Sequence, residues 1–234
     1  MKKTNKIKQK TTGFDILYRV VTAIACVAIY PIFYFADMIT VLIAHTDISD
    51  LLNKFTGDNT LHVTDESISL SELPSLISTF SGITDGSFDA KTAILENALY
   101  RPAIVAIAFI AIALVLGLVI LGFAIFSNKI KVITSLSIAG FLSTIAAYIS
   151  FTTFFARPLI NGDVTISDLL NLDGIIASTI IGYLGDVVVL TLDGAFFGVM
   201  FIMLFILIWS ASVILVNRSD EKEKAMKAAA RKHN

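Results

Sequence analysis

Four long apolar runs alternate with polar segments along the chain, at about 17–44, 102–126, 132–156 and 195–216. A helix of about 20 residues crosses roughly 30 Å of hydrocarbon, so each run is long enough for a membrane span. The pattern predicts an all-α integral membrane protein, a bundle of four transmembrane helices with both termini on one side. The second and third runs form a hairpin. They meet at a basic turn, residues 127–131, and each far end carries an Arg-Pro pair, Arg101-Pro102 and Arg157-Pro158.

The runs differ in texture. The first holds Pro31, which removes a backbone donor and predicts a kink, beside Tyr30, Phe33, Tyr34 and Phe35. The second has no polar stripe and is expected to have the most lipid contact. Ala113 and Gly117 offer it one close helix crossing. In the third, Ser137, Gly140, Thr144, Ala147 and Tyr148 recur at helical spacing and should face the bundle interior. The fourth opens on Gly194-x-x-x-Gly198, a spacing that permits close packing within the chain or between copies.

The polar segments divide the rest. Residues 1–16 are a basic tail and 217–234 a second tail, where Asp220 with Lys224 and Glu223 with Lys227 predict a continuing helix. Residues 45–101 are too long for a bare connector. Within them Ser49 caps a predicted short helix, 61–70 alternates like one or two strands, and Ser71–Pro74 opens another helix. In 157–194, Gly162-Asp163 is a turn, 164–166 a short strand and 167–171 a capped helix. Residues 175–192 are apolar but broken by Gly182, Gly185 and Asp186, and read as an interfacial or partly re-entrant helix. The hexapeptide Ile-Ser-Asp-Leu-Leu-Asn occurs at 48–53 and again at 166–171, with a weaker echo at 70–73, which suggests two tandem units of about 1–126 and 127–218.

Composition supports the membrane reading: 56% of residues are hydrophobic and 16% charged, against roughly 25% charged in soluble domains. Charge then orients the chain. Fourteen of the 18 Lys and Arg residues lie in the N-terminal region up to Arg19, the 127–131 turn and the C-terminal tail. Only Lys54, Lys91, Arg101 and Arg157 lie opposite, together with 15 of the 19 acidic residues. The positive-inside rule therefore puts both termini in the cytoplasm, where the basic tail meets anionic lipids. The single cysteine, Cys26, excludes an intrachain disulfide. No Asn-x-Ser/Thr acceptor occurs in the outer segments. Both observations fit the plasma membrane of a bacterium.

Candidate chemistry is sparse. No ionisable residue lies near the middle of a span, which argues against proton relays and many transport paths. Asp58, Asp65, Glu66 and Asp85 do not follow a calcium-loop spacing, and His45 and His62 have no ligand partner at zinc spacing. No phosphate loop, nucleophile-base pair or nucleic-acid signature occurs, so no enzyme activity, cofactor, metal or nucleic-acid partner is expected. Charge gathers at the outer boundary, at Asp37, His45, Arg101, Arg157, Asp186 and Asp193. Arg101 and Arg157 pair there with Asp37 and Asp193 or with lipid phosphates, their stems snorkelling. Alternatively they form one cationic site for a lipid headgroup or other anion.

Four spans, both ends inside, and a long first outer loop with a shorter second resemble the plan of claudin-type tetraspan proteins. The Trp and paired-Cys signature of the claudin first loop is missing, so the resemblance carries over no residue roles. The expectation is a non-enzymatic accessory or scaffold subunit that meets other membrane proteins through its outer loops and span faces. The alternative is a small transporter or lipid-handling protein with an anionic-ligand site near Arg101 and Arg157.

Overall fold

A computed structural model of the chain describes residues 13–44, 63–72, 98–127, 129–164 and 186–232. Four of its helices are long and apolar enough to cross a membrane, and a small antiparallel sheet caps one end of them. We call that end the sheet end and the other the turn end.

Helix α1 spans Gly13–Phe35. At Asp37 the backbone becomes strand β1, Asp37–Ala44. The span read at 17–44 is thus shorter than the apolar run suggests. Ile39, Thr40, Val41 and Ile43 are β-branched and favour a pleated surface, and a bare apolar run does not by itself separate helix from strand. Strand β2, Val63–Ser69, falls in the segment that alternates in sequence. Helix α2, Arg101–Phe126, follows a single 3-10 turn at Ala98–Tyr100. A three-residue connection leads to α3, Ile130–Phe151, which continues through a π-helical segment at Thr152–Ala156 and a last turn at Arg157–Ile160. Gly162, at φ 75°, ends it in the left-handed conformation that stops helices. Strand β3 is Asp186–Leu192 and α4 is Gly194–Lys232. The interfacial helix expected at 175–192 is therefore replaced by β3 over its second part. Residues 175–185, both copies of the hexapeptide and the other short loop helices lie outside the described residues.

The helices form a ring in which each neighbours those next to it in the chain, and α4 closes against α1. The sheet order is β2-β1-β3, both pairs antiparallel. Strand β1 leaves α1 directly, and β3 enters α4 after only Asp193, so the β1–β3 pair is the α1–α4 helix pair continued beyond the bundle. The described halves do not repeat one pattern: α1 runs into a strand, whereas α3 ends in a glycine turn.

Small residues set the helix spacing. On α2 the buried stripe is Ala106, Ile110, Ala113, Gly117, Ile120 and Ala124. On α3 it includes Ile133, Ser137, Gly140, Thr144 and Ala147. Tyr148, expected on that stripe, is 38% exposed and stacks on Phe196 of α4 at 6.1 Å. Met203 of α4 fills the space between the stripes. A Cβ on Gly140 would meet its Sδ at 2.9 Å, and one on Gly117 its Cε at 3.4 Å. The most apolar stretches of the four helices are buried to much the same extent, 22% in α1 and 28% in each of the others, so α2 does not stand out. Large exposed side chains such as Ile24, Ile107, Leu142 and Phe201 cover the outside of the ring, as a lipid-facing surface requires.

Candidate functional site

The chemistry-bearing side chains meet at the sheet end, where helices give way to strands. Three backbone hydrogen bonds hold that junction. Ala36 N donates to Ile32 O at 3.0 Å, Ser71 N to Tyr34 O at 3.2 Å, and Asp193 N to Met38 O at 3.0 Å. Such polar backbone needs partners wherever water is scarce, and the junction supplies them from three separate stretches of chain.

Asp193 is the hub. Its Oδ1 accepts the Gly194 N–H at 2.7 Å, which places a carboxylate at the positive end of α4. Its Oδ2 accepts the Thr40 hydroxyl of β1, and its carbonyl receives Phe197 N at 3.1 Å. Both carboxylate oxygens are thus engaged, Oδ1 on the start of α4 and Oδ2 on β1, and not in facing an arginine. Asp37 is exposed, opens β1 and pairs in register with Ser69. Its carbonyl lies 3.9 Å from where a Gly194 Cβ would stand, and a Gly198 Cβ would lie 2.5 Å from Ile32 Cγ2. Gly194 therefore faces the start of β1 and Gly198 faces α1. The GxxxG face is spent on contacts within the chain.

Arg101 and Arg157 are both exposed at the sheet end. Each stands immediately before a proline, and Pro102 and Pro158 line one shallow apolar cavity of about 130 Å³. Tyr100 and Phe155 pack with ring centroids 6.2 Å apart, and Ser150 Oγ donates to Pro102 O at 2.8 Å, which fixes the α2 start against the far part of α3. The π segment sits in this contact, and its Thr152 hydroxyl oxygen is buried without a partner. Single π turns inside helices commonly mark sites where an element is re-aimed.

Several polar groups inside the bundle bond within it, while Trp209 Nε1 is buried without a partner. Ser137 and Thr144 donate to carbonyls of their own helix, Ile133 O at 2.8 Å and Phe141 O at 2.7 Å. Tyr18 and Ser210 share a buried hydrogen bond of 2.9 Å, and the Tyr30 hydroxyl donates to Leu114 O at 2.9 Å. Among the described residues no three of His, Cys, Asp and Glu gather as a metal group. His45, His62, Asp58 and Asp85 lie outside them.

Arg19 was missed as a structural residue. Its Nε donates to Ala124 O at 2.7 Å and its Nη2 to Ile125 O, so the guanidinium sits on the last carbonyls of α2, where the helix dipole favours a cation. The available signal was an arginine inside the first apolar run at the depth of the hairpin turn. On β2's far side, Glu72 accepts Ser69 N–H at 3.0 Å, and this hydrogen bond, followed by the Ser69 side chain, lowers the Glu72 carboxyl below its ordinary value.

No protein-family profile, curated protein or solved structure matches the chain. The resemblance to claudin-type proteins therefore stands on the arrangement of spans alone.

Proposed function

We propose that the chain is a multi-pass protein of the cell membrane, with both termini cytoplasmic, and that it serves as a non-enzymatic accessory or scaffold subunit of a membrane-protein complex. The carrying observation is the closed centre of the bundle. Met203 occupies the space left by Gly117 and Gly140, and the hydroxyls of the α3 stripe are bonded to their own backbone. A transport path needs polar groups turned toward a cavity, and here the Ser137 and Thr144 hydroxyls are bonded to their own helix. A sheet paired to the ends of a packed bundle suits the presentation of a surface. Basic residues concentrated at the turn end and in the tails support the cytoplasmic placement of that end. The lone cysteine and the lack of outer glycosylation acceptors support a bacterial plasma membrane as its home.

The test is affinity purification of the full chain from its native membrane in mild detergent, followed by native mass spectrometry. The expected result is a stoichiometric complex with another integral membrane protein. A lone monomer of 25.4 kDa would contradict the reading.

A further inference from the structure

We infer that copies of this chain join side by side in the membrane, the outer face of α1 in one copy packing on the outer face of α3 in the next, as an open row. The starting point is Pro31. Helix α1 runs unbroken through it, and proline has no N–H, so the carbonyl four residues back, Val27 O, has no helical donor. Val27 is 54% exposed and Pro31 is exposed one turn above it, so that carbonyl lies on the outer side of α1. In hydrocarbon a bare carbonyl costs free energy until a donor reaches it. The side chains exposed around it, Val20, Ile24 and Val27, are aliphatic and offer none.

A second copy supplies the donor. Depth is readable from the core: a Cβ on Gly117 of α2 would meet both Ile29 and Met203, and one on Gly140 of α3 would meet Met203. Ile29 and Gly140 therefore stand at one level, and α1 and α3 both run from the turn end to the sheet end. Val27 O points up the helix from two residues below Ile29, and the Ser143 side chain tilts back from three residues above Gly140. At ~1.5 Å per residue the two lie within one helical turn of the same depth. The exposed hydroxyls of Ser135 and Ser212 lie further off, toward the turn end. Ser143 Oγ, on the outer surface, donates to Ala139 O at 2.9 Å. That carbonyl also receives the Ser143 N–H within the helix, so the hydroxyl can turn to Val27 O of the next copy and leave no group unpaired. Ala139, exposed and small, lets the neighbouring backbone come within reach.

In the ring α1 neighbours α2 and α4, and α3 stands diagonally across. The outer faces of α1 and α3 thus point to opposite sides, and two copies cannot satisfy each other about a two-fold axis. Every contact leaves one free α1 face and one free α3 face at the ends, so the assembly extends. This goes beyond the subunit role proposed above. It rests only on the membrane placement of the spans, which recovery of the chain in the membrane fraction checks separately.

Cysteine cross-linking of the full chain in the membranes of expressing cells tests the row. Under a membrane-permeant oxidant, C26S/V27C/A139C should give a ladder of dimers, trimers and higher species on non-reducing gels. C26S/V27C and C26S/A139C, with one thiol each, should stay monomeric. In the two-cysteine chain, S143A removes the donor and P31A gives Val27 O a donor from its own helix. Each should slow linkage about threefold, the worth of an average hydrogen bond between membrane helices. Both act on one bond, so P31A/S143A together should cost no more than either alone. S212A, which removes a similar hydroxyl from the outer surface of α4, should change nothing. The inference is overturned by linkage that stops at the dimer, by no linkage, by equal linkage in a single-cysteine chain, or by linkage of V27C to a different protein. A ladder that P31A and S143A leave unchanged also overturns it.

Discussion

The two helix pairs of this bundle are tied at opposite ends. Helices α2 and α3 are joined at the turn end by three residues and pack along their length through small side chains. Helices α1 and α4 are far apart in sequence and meet at the sheet end, where β1 and β3 continue them as paired strands. One pair is held by a short covalent connection and the other by long-range hydrogen bonding. Arg19 then links the two systems at the turn end, since α1 has no strand there and reaches α2 through a side chain. The difference teaches that the sheet is part of the bundle's own construction and not an appendage to it.

The comparison can be broken most severely at Gly198. A Cβ there enters the space of Ile32 Cγ2, and a β-branched side chain in a helix has little rotamer freedom to retreat. Gly198→Leu should cost about 3 kcal/mol by overpacking, read as a lower unfolding midpoint in detergent, with the α1–α4 interface opening to hydrogen exchange before the α2–α3 interface. Arg19→Gln comes next. Loss of a charged donor at the end of α2 should cost about 1–2 kcal/mol. It should loosen α1 against α2 at the turn end while β1 and β3 stay paired. Ser150→Ala removes the hydrogen bond to Pro102 O and should cost about 0.6 kcal/mol, near the mean measured for such bonds between membrane helices. Its effect should be confined to the sheet end of the α2–α3 pair. The smallest effect concerns Glu72. Its carboxyl is lowered in the folded chain, so its contribution is present above the unfolded value and is lost as pH falls through the depressed folded one. Amide protection around residues 67–72, taken relative to intrinsic exchange at each pH, should fall across that window in the wild type and stay constant in Glu72→Gln.

These two ties were unequally legible in the sequence. The hairpin shows itself because its signals are local: two apolar runs, a basic turn and small residues at helical spacing. Strand β2 shows through the alternation around Val63–Ser69. Strand β1 does not. Met38–Ile43 resumes the apolar run of α1 after the single charge of Asp37, and the partner that makes it a strand, β3, lies some 150 residues away. Strand β3 is hidden for the same reason, since Val187–Leu192 reads equally as a buried helix segment. At the candidate site, the two arginines and the prolines beside them were visible as charge at a span end. The role of Asp193 was not, because its partner across the junction, the Thr40 hydroxyl, becomes a neighbour only when the sheet forms. Arg19 escaped notice because its partners are carbonyls, which every residue has.

The pairing of β1 with β3 is the claim on which the rest depends, and a disulfide tests it directly. Thr40 and Thr191 are register partners across that pair. In a Cys26→Ser background, T40C/T191C should form an intrachain disulfide in most molecules under mild oxidation, while T40C/L192C, displaced by one residue, should not. Efficient linkage of the displaced pair, or linkage of neither, would contradict the account.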